Sequence, residues 1–180
     1  ARSIDGPSRL VFIGHHHSPW HGIGDVLALA KARQQWRFDI IGLTDAEVAG
    51  AHDNVVNHGQ LPPAECAAII GTADIGIGSL ALYRERIREA STLKVREYLA
   101  AGLPVVLGGQ DTDFPDGAPF LMQVPNAKGG ILTDLDRLDA VVARWRGQRV
   151  AAGDVGHLDV SEKERIRLSF FEQVRQGAET

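Results

Sequence analysis

Glu89 and Glu97 flank a helix start at about Thr92, and residues of those types in that order carry a specific chemistry. The first N–H groups of a helix lack internal partners, and the helix dipole places roughly half a positive charge there. Such an end seats an anion, and a diphosphate suits it. Glu97, further along the helix, can accept from two neighbouring hydroxyls, as on a ribose. Glu89, before the helix, can accept from sugar hydroxyls beyond the phosphates. Sugar, diphosphate and ribose together describe a nucleotide sugar. The spacing alone leaves a plainer reading open. In it Ser91 or Thr92 caps the helix, Glu89 decorates its start, and Glu97 pairs with Arg96 or Lys94 on a solvated face.

Other residues with chemical potential argue less. His15, His16 and His17 follow Gly14, and His21 precedes Gly22. Successive side chains of an extended loop point apart, so no more than two of the three histidines could share an ion. No Cys, Asp or Glu stands at ligand spacing beside them, and no metal is expected. Gly22 and Gly24 begin a G-x-G, but Leu27 stands where a third glycine belongs, so a dinucleotide fingerprint is poor. Cys66 is the single cysteine, which rules out an internal disulfide and suits a reducing compartment. It lies in an Ala/Ile-rich stretch and reads as packing, as do Trp36, Trp145 and Tyr98. Trp20 lies in the first loop, where lining a site and packing are equally open. The cluster Arg84–Arg88 reads as a solvated face.

These residues need a scaffold, and the hydrophobic pattern supplies one. Short apolar runs alternate with helical periods, the signature of an α/β parallel sheet. Strands are expected at Leu10–Gly14, Phe38–Gly42, Asn54–Asn57, Asp74–Gly78 and Val105–Leu107. Phe120–Val124 and Gly130–Leu132 read as a broken pair of extended pieces. Helices are expected over Gly22–Gln34, from Pro62-Pro63 to about Ile70, over Leu93–Ala101 and over Leu135–Trp145. Gly147–Gly156 reads as a loop or linker. Ser161–Gln176 reads as a final amphipathic helix, with Ile166, Phe170 and Val174 at spacings of four. The domain proper is expected over 1–156, and 157–180 as a helix packing on it or on a domain lying outside this chain. Ligands bind beyond the carboxyl ends of the strands of such a sheet. Three loops there stand out, Gly14–Gly24, Asn57–Pro63 and Ser79–Thr92, and long ordered loops are usually functional.

Bulk properties narrow the class. The chain has 180 residues, 44% hydrophobic and 23% charged, which suits one globular domain. Its net charge is −4, so no basic excess points to nucleic acid. No apolar run is long enough to span a membrane, and Ala1–Gly6 lacks a signal-peptide core.

The stretch from Glu89 to Val106, with Glu97 followed by Ala100-Ala101-Gly102-Leu103-Pro104-Val105, resembles the donor-site motif of retaining GT-B glycosyltransferases of family 4. The resemblance runs from about Arg9 to Leu132, through Gly14, Trp20-His21-Gly22, Gly42, His58-Gly59 and Ala73-Asp74-Ile75. It implies a Rossmann-like three-layer α/β domain with a mostly parallel sheet, the C-terminal half of a GT-B enzyme. The implied function is binding an NDP-sugar, with UDP or GDP as the nucleotide and no further cofactor, for transfer to a glycan, lipid or other acceptor. Glu89 is implied at the donor sugar and Glu97 at the ribose. Backbone near Ser91, Thr92, Leu93 and Lys94 would hold phosphate, and Asn57, His58, Gly59 and Leu61 would face the base. The family's arginine and lysine on the diphosphate are replaced here, His15 or His16 and His21 being the nearest stand-ins beside Gly14 and Gly22. Imidazole titrates near ~6.5. His21 is therefore expected to be charged with donor bound, with affinity falling as pH rises. The resemblance also implies an N-terminal acceptor domain outside this chain, little turnover without it, and a cytoplasmic setting, at the inner membrane surface through the missing part. NDP-sugar epimerisation and a non-catalytic nucleotide-binding or interaction module are the alternatives.

Overall fold

The structure is a computed structural model and describes residues 5–177. Six strands alternate with helices: β1 (Arg9–Ile13), α1 (Ile23–Ala32), β2 (Arg37–Ile41), β3 (Val55–Asn57), α2 (Pro63–Thr72), β4 (Ile75–Ile77), α3 (Leu93–Ala100), β5 (Val105–Gly108), β6 (Leu121–Val124), α4 (Leu135–Trp145) and α5 (Val160–Gly177). The strands form one sheet in the order β3-β2-β1-β4-β5-β6, and every pair is parallel. The Rossmann-like α/β class expected from the pattern is the one observed.

Strand alternation distributes the core between two faces. Leu10, Phe12, Phe38, Ile40, Ile75 and Ile77 pack with Val26 and Leu29 of α1 and Leu138 and Val142 of α4. Val11, Ile41, Val105 and Leu107 pack on the other face with Ile70 of α2 and Val95, Tyr98 and Leu99 of α3. Strands buried on both faces read as the continuous apolar runs seen in the sequence. Gly76 has a packing reason. A Cβ there would lie 2.4 Å from the Tyr98 ring, so the glycine lets α3 sit close against β4.

Two expectations are corrected. Gly130–Leu132 is a 3-10 turn, not an extended piece. Gly129 enters the left-handed region at φ 72, and Leu132 N–H bonds back to its carbonyl, so the segment satisfies itself locally. The span 147–156 is not a free linker. Val150 is buried and its N–H donates to Gly102 O, and from Ala152 the chain winds into a 3-10 stretch reaching Leu158. The helix expected at the end is present as α5, yet none of its residues is buried. Ile166, Phe170, Phe171 and Val174 stay exposed. Lys163 ties it to the sheet-bearing body, its Nζ lying 2.9 Å from Asp113.

Candidate donor cleft

Helix α1 leaves β1 toward one face and α3 leaves the β4 side toward the other, so a crevice opens beyond the carboxyl ends of β1 and β4. Two cavities occupy it and its extension over β2. The first, about 620 Å³, lies between the loop after β1 and the start of α3. Gly14, His15, Ser18, Trp20 and His21 form one wall, and Ser91, Thr92, Leu93 and Lys94 the other. The second, about 720 Å³, is apolar and runs over Ile41 to Leu61, Pro63, Cys66, Ala67 and Ile70, with Ala100 and Ala101 opposite. Ile13 and Glu97 line both, so the two adjoin and Glu97 stands between them.

Local geometry explains how the sequence builds this cleft. Gly42 has φ 86, and a Cβ there would meet the Gly14 carbonyl oxygen at 2.4 Å. Glycine thus lets the ends of β1 and β2 lie together under the cleft floor, where Gly14 N–H donates to Ile41 O at 2.8 Å. Tyr98 is fully buried beneath α3, and its hydroxyl accepts from Ile13 N–H at 2.8 Å. That bond ties α3 to the β1 end and fixes the width between them. Burial raises the Tyr98 hydroxyl pKa, so it stays protonated.

The start of α3 is left open. Neither Ser91 nor Thr92 caps it. The Ser91 hydroxyl donates to Asp113 at 3.0 Å, and Thr92 Oγ1 is buried without a partner among the described residues. The N–H groups of Leu93 and Lys94 likewise have no acceptor among the described residues. Lys94 is only 6% exposed, and its Nζ is buried with no hydrogen-bond partner, 4.6 Å from the centroid of the Phe12 ring. Burial lowers its pKa to about 7, with the charge of Glu97 working in the opposite direction.

The histidines are sorted differently from the expectation. His21 is buried, and its pKa is lowered to about 4 by burial first and then by Lys94 and His15. Its Nδ1 accepts from His15 N–H at 3.1 Å, which places the ring proton on Nε2. His21 is therefore a neutral donor on the cleft wall, not the charged one expected. His16 lines neither of the two cleft cavities. Its ring is held by Glu47 at 3.0 Å, and it lines a separate cavity of about 300 Å³ with Asn57 and Gly59 and another of about 410 Å³ with His21. His58 is taken out of the cleft altogether. Its Nε2 lies 2.9 Å from Asp39, and its N–H donates to Ile40 O. Asp39 is buried and also accepts from Arg9 and Arg37. Burial alone would raise its pKa, but those three partners outweigh it and hold it below the usual carboxylate range. Asn57 ties the loop through Leu43 O and Asp45. Gly22 lines neither cavity. It turns the chain at φ 83 against Leu80 and Ala81.

Of the two glutamates, Glu97 is in the cleft and Glu89 lines neither cavity. Glu89 is exposed, bridged to Gln110 beside the end of β5, two positions before the cleft residue Ser91. Sequence reading reached the peptide of Lys94 but not its ammonium. The signal was an apolar helix face at the period that buries Val95, Tyr98 and Leu99, on which Lys94 sits as the odd residue. Among the described residues no group of three metal-type ligands is present, and no helix is long and apolar enough to cross a membrane.

No sequence-family profile and no curated protein matches this chain. Solved structures do match it in fold. A glycosyltransferase from Rickettsia africae matches with TM-score 0.64 and 14% identity, over 94% of this chain and 48% of its own. Sucrose-phosphate synthase from Thermosynechococcus elongatus matches with TM-score 0.61 and 20% identity, over 97% of this chain and 46% of its own. Anabaena HepE, solved with UDP-glucose, matches with TM-score 0.65 and 14% identity, over 94% of this chain and 50% of its own. A UDP-GlcNAc 2-epimerase from Neisseria meningitidis matches less fully, with TM-score 0.54 and 14% identity, over 79% of this chain and 38% of its own. The chain thus has the fold of one half of GT-B glycosyltransferases and spans about half the length of the structures it matches.

Proposed function

We propose that this chain is the donor-binding, C-terminal half of a GT-B glycosyltransferase, moving a sugar from an NDP-sugar to a glycan or lipid-linked acceptor with retention of configuration. The carrying observation is Glu97, shared by two adjoining cavities, one lined mainly by aliphatic side chains and the other by the histidine loop and the α3 start. An apolar slot on one side suits a flat base. An open helix start with a buried ammonium on the other suits a diphosphate. A carboxylate between them falls where the ribose of a nucleotide must lie, and it accepts from both ribose hydroxyls. Gln60 and Leu61 present main chain to the base. His21 donates through Nε2 to the diphosphate. Glu89 accepts from the donor sugar beyond the α3 end.

Transfer then needs a second domain for the acceptor, and the exposed apolar residues of α5 are the surface proposed to pack on it. Assembly of surface glycans at the inner face of a membrane fits this reading. Epimerisation fits less well, because the epimerase structure overlaps less of the chain than the transferases do. Product analysis with the complete protein separates the two.

The test is calorimetric titration of the chain with UDP-glucose, GDP-mannose and ADP-glucose. One of them is expected to bind, and Glu97→Ala is expected to weaken the matching nucleoside about 10- to 100-fold, the loss of a charged hydrogen bond. No binding by any donor to the folded chain refutes the proposal.

A further inference from the structure

We infer that the Lys94 ammonium is the fixed cation of the diphosphate subsite, and that donor binding there is coupled to uptake of one proton. This rests on the donor-cleft reading above and adds to it a named charge and a linkage.

Lys94 is the second residue of α3 and part of the cavity wall at the helix start. Only 6% of the residue remains exposed, and Nζ has no hydrogen-bond partner among the described residues. The groups facing it are few. Glu97 lies on its own helix, His21 comes from the loop after β1, which also brings His15 to the same cavity, and β1 presents the Phe12 ring. Among the described residues Lys94 Nζ makes no hydrogen bond to Glu97. A buried ammonium without a hydrogen-bonded counter-ion sheds its proton more readily, and burial brings Lys94 down to about 7 against the opposing charge of Glu97. A further polar atom of the same cavity wall is buried without a partner among the described residues, Thr92 Oγ1, two residues earlier.

A diphosphate at the α3 start supplies what the ammonium lacks. Its negative charge favours the protonated lysine, so the bound state holds a proton that the free state has largely lost at alkaline pH. His21 does not compete for this role, because it stays neutral until about pH 4. The arrangement places a titrating cation on α3 and leaves His21, on the loop after β1, as a neutral donor.

The experiment is calorimetry of the chain with whichever of UDP-glucose, GDP-mannose or ADP-glucose binds. Its diphosphate is a diester and does not titrate between pH 6 and 8. Titrations in buffers of different ionisation enthalpy count protons taken up. The expected uptake is about 0.9 proton at pH 8 and about 0.1 at pH 6. Lys94→Met is expected to abolish the uptake and weaken the NDP-sugar about 10- to 100-fold, while the parent nucleoside binds as before. Lys94→Arg keeps a permanent charge, so it should bind the NDP-sugar without uptake, which also controls for folding. NDP-sugar binding with equal proton counts at both pH values, or undiminished in Lys94→Met, overturns this inference and leaves the donor cleft standing. Failure of every nucleoside and NDP-sugar to bind overturns the donor cleft itself.

Discussion

Replacing Lys94 with methionine should stabilise the chain, and the gain should shrink as pH rises. Burial lowers the lysine from its ordinary 10.5 to about 7. The unfolded chain therefore holds a proton that the folded chain gives up between those values. Stability conferred at this position is complete above the unfolded value and is lost as pH falls toward the folded one. At pH 6 the linkage costs the wild-type on the order of 5 kcal/mol, and at pH 9 on the order of 2 kcal/mol. Water entry and relaxation reduce both figures in practice, and the contact with Phe12 returns about 1 kcal/mol. Methionine keeps an unbranched stem on the Phe12 ring and removes the charge. Lys94→Met should then be more stable by about 2–3 kcal/mol at pH 6, raising Tm by roughly 4–12 °C, with most of the gain gone by pH 9. Urea unfolding of both proteins at the two pH values measures this difference free of groups they share. A variant less stable than wild-type at pH 6, or a difference independent of pH, would refute the claim that the Lys94 ammonium is buried without a hydrogen-bonded partner.

Three further outcomes follow from neighbouring contacts. Tyr98→Phe removes the acceptor of Ile13 N–H under the cleft floor and should cost about 1–3 kcal/mol in urea unfolding, with weaker nucleoside binding as the β1 end loosens. Asp39→Asn breaks the buried cluster with Arg9, Arg37 and His58 and should cost about 3–5 kcal/mol near neutrality. Because the folded Asp39 titrates below its usual value, its contribution is lost as pH falls through that lowered value, so wild-type and variant should converge in acid. Cys66 lines the apolar slot, and its thiol is raised by burial and then by Glu97. Alkylation should be slow near neutrality and slower still with nucleotide present, a protection read by mass spectrometry; unchanged labelling under saturating nucleotide would place the base elsewhere.

Much of this architecture is legible in the sequence because it rests on local physics. Apolar runs buried on both faces, each stopped by glycine, mark β1, β2 and β4, and the register of Glu89, Glu97, Gly102 and Pro104 marks the helix and strand at the cleft. The open start of α3 and the place of Glu97 follow from the same order. The identities of the charged and neutral partners do not, since a pKa depends on what other segments bring near a side chain. His16, His21 and His58 are alike as letters. Folding gives His16 to Glu47, holds His21 neutral against His15 and Lys94, and spends His58 on Asp39, a residue 19 positions away. Lys94 reads as one more charged residue beside Arg96. Only the packing of α3 over β1 removes its ammonium from water and leaves it without a partner, and that is a property of three-dimensional burial that no spacing encodes.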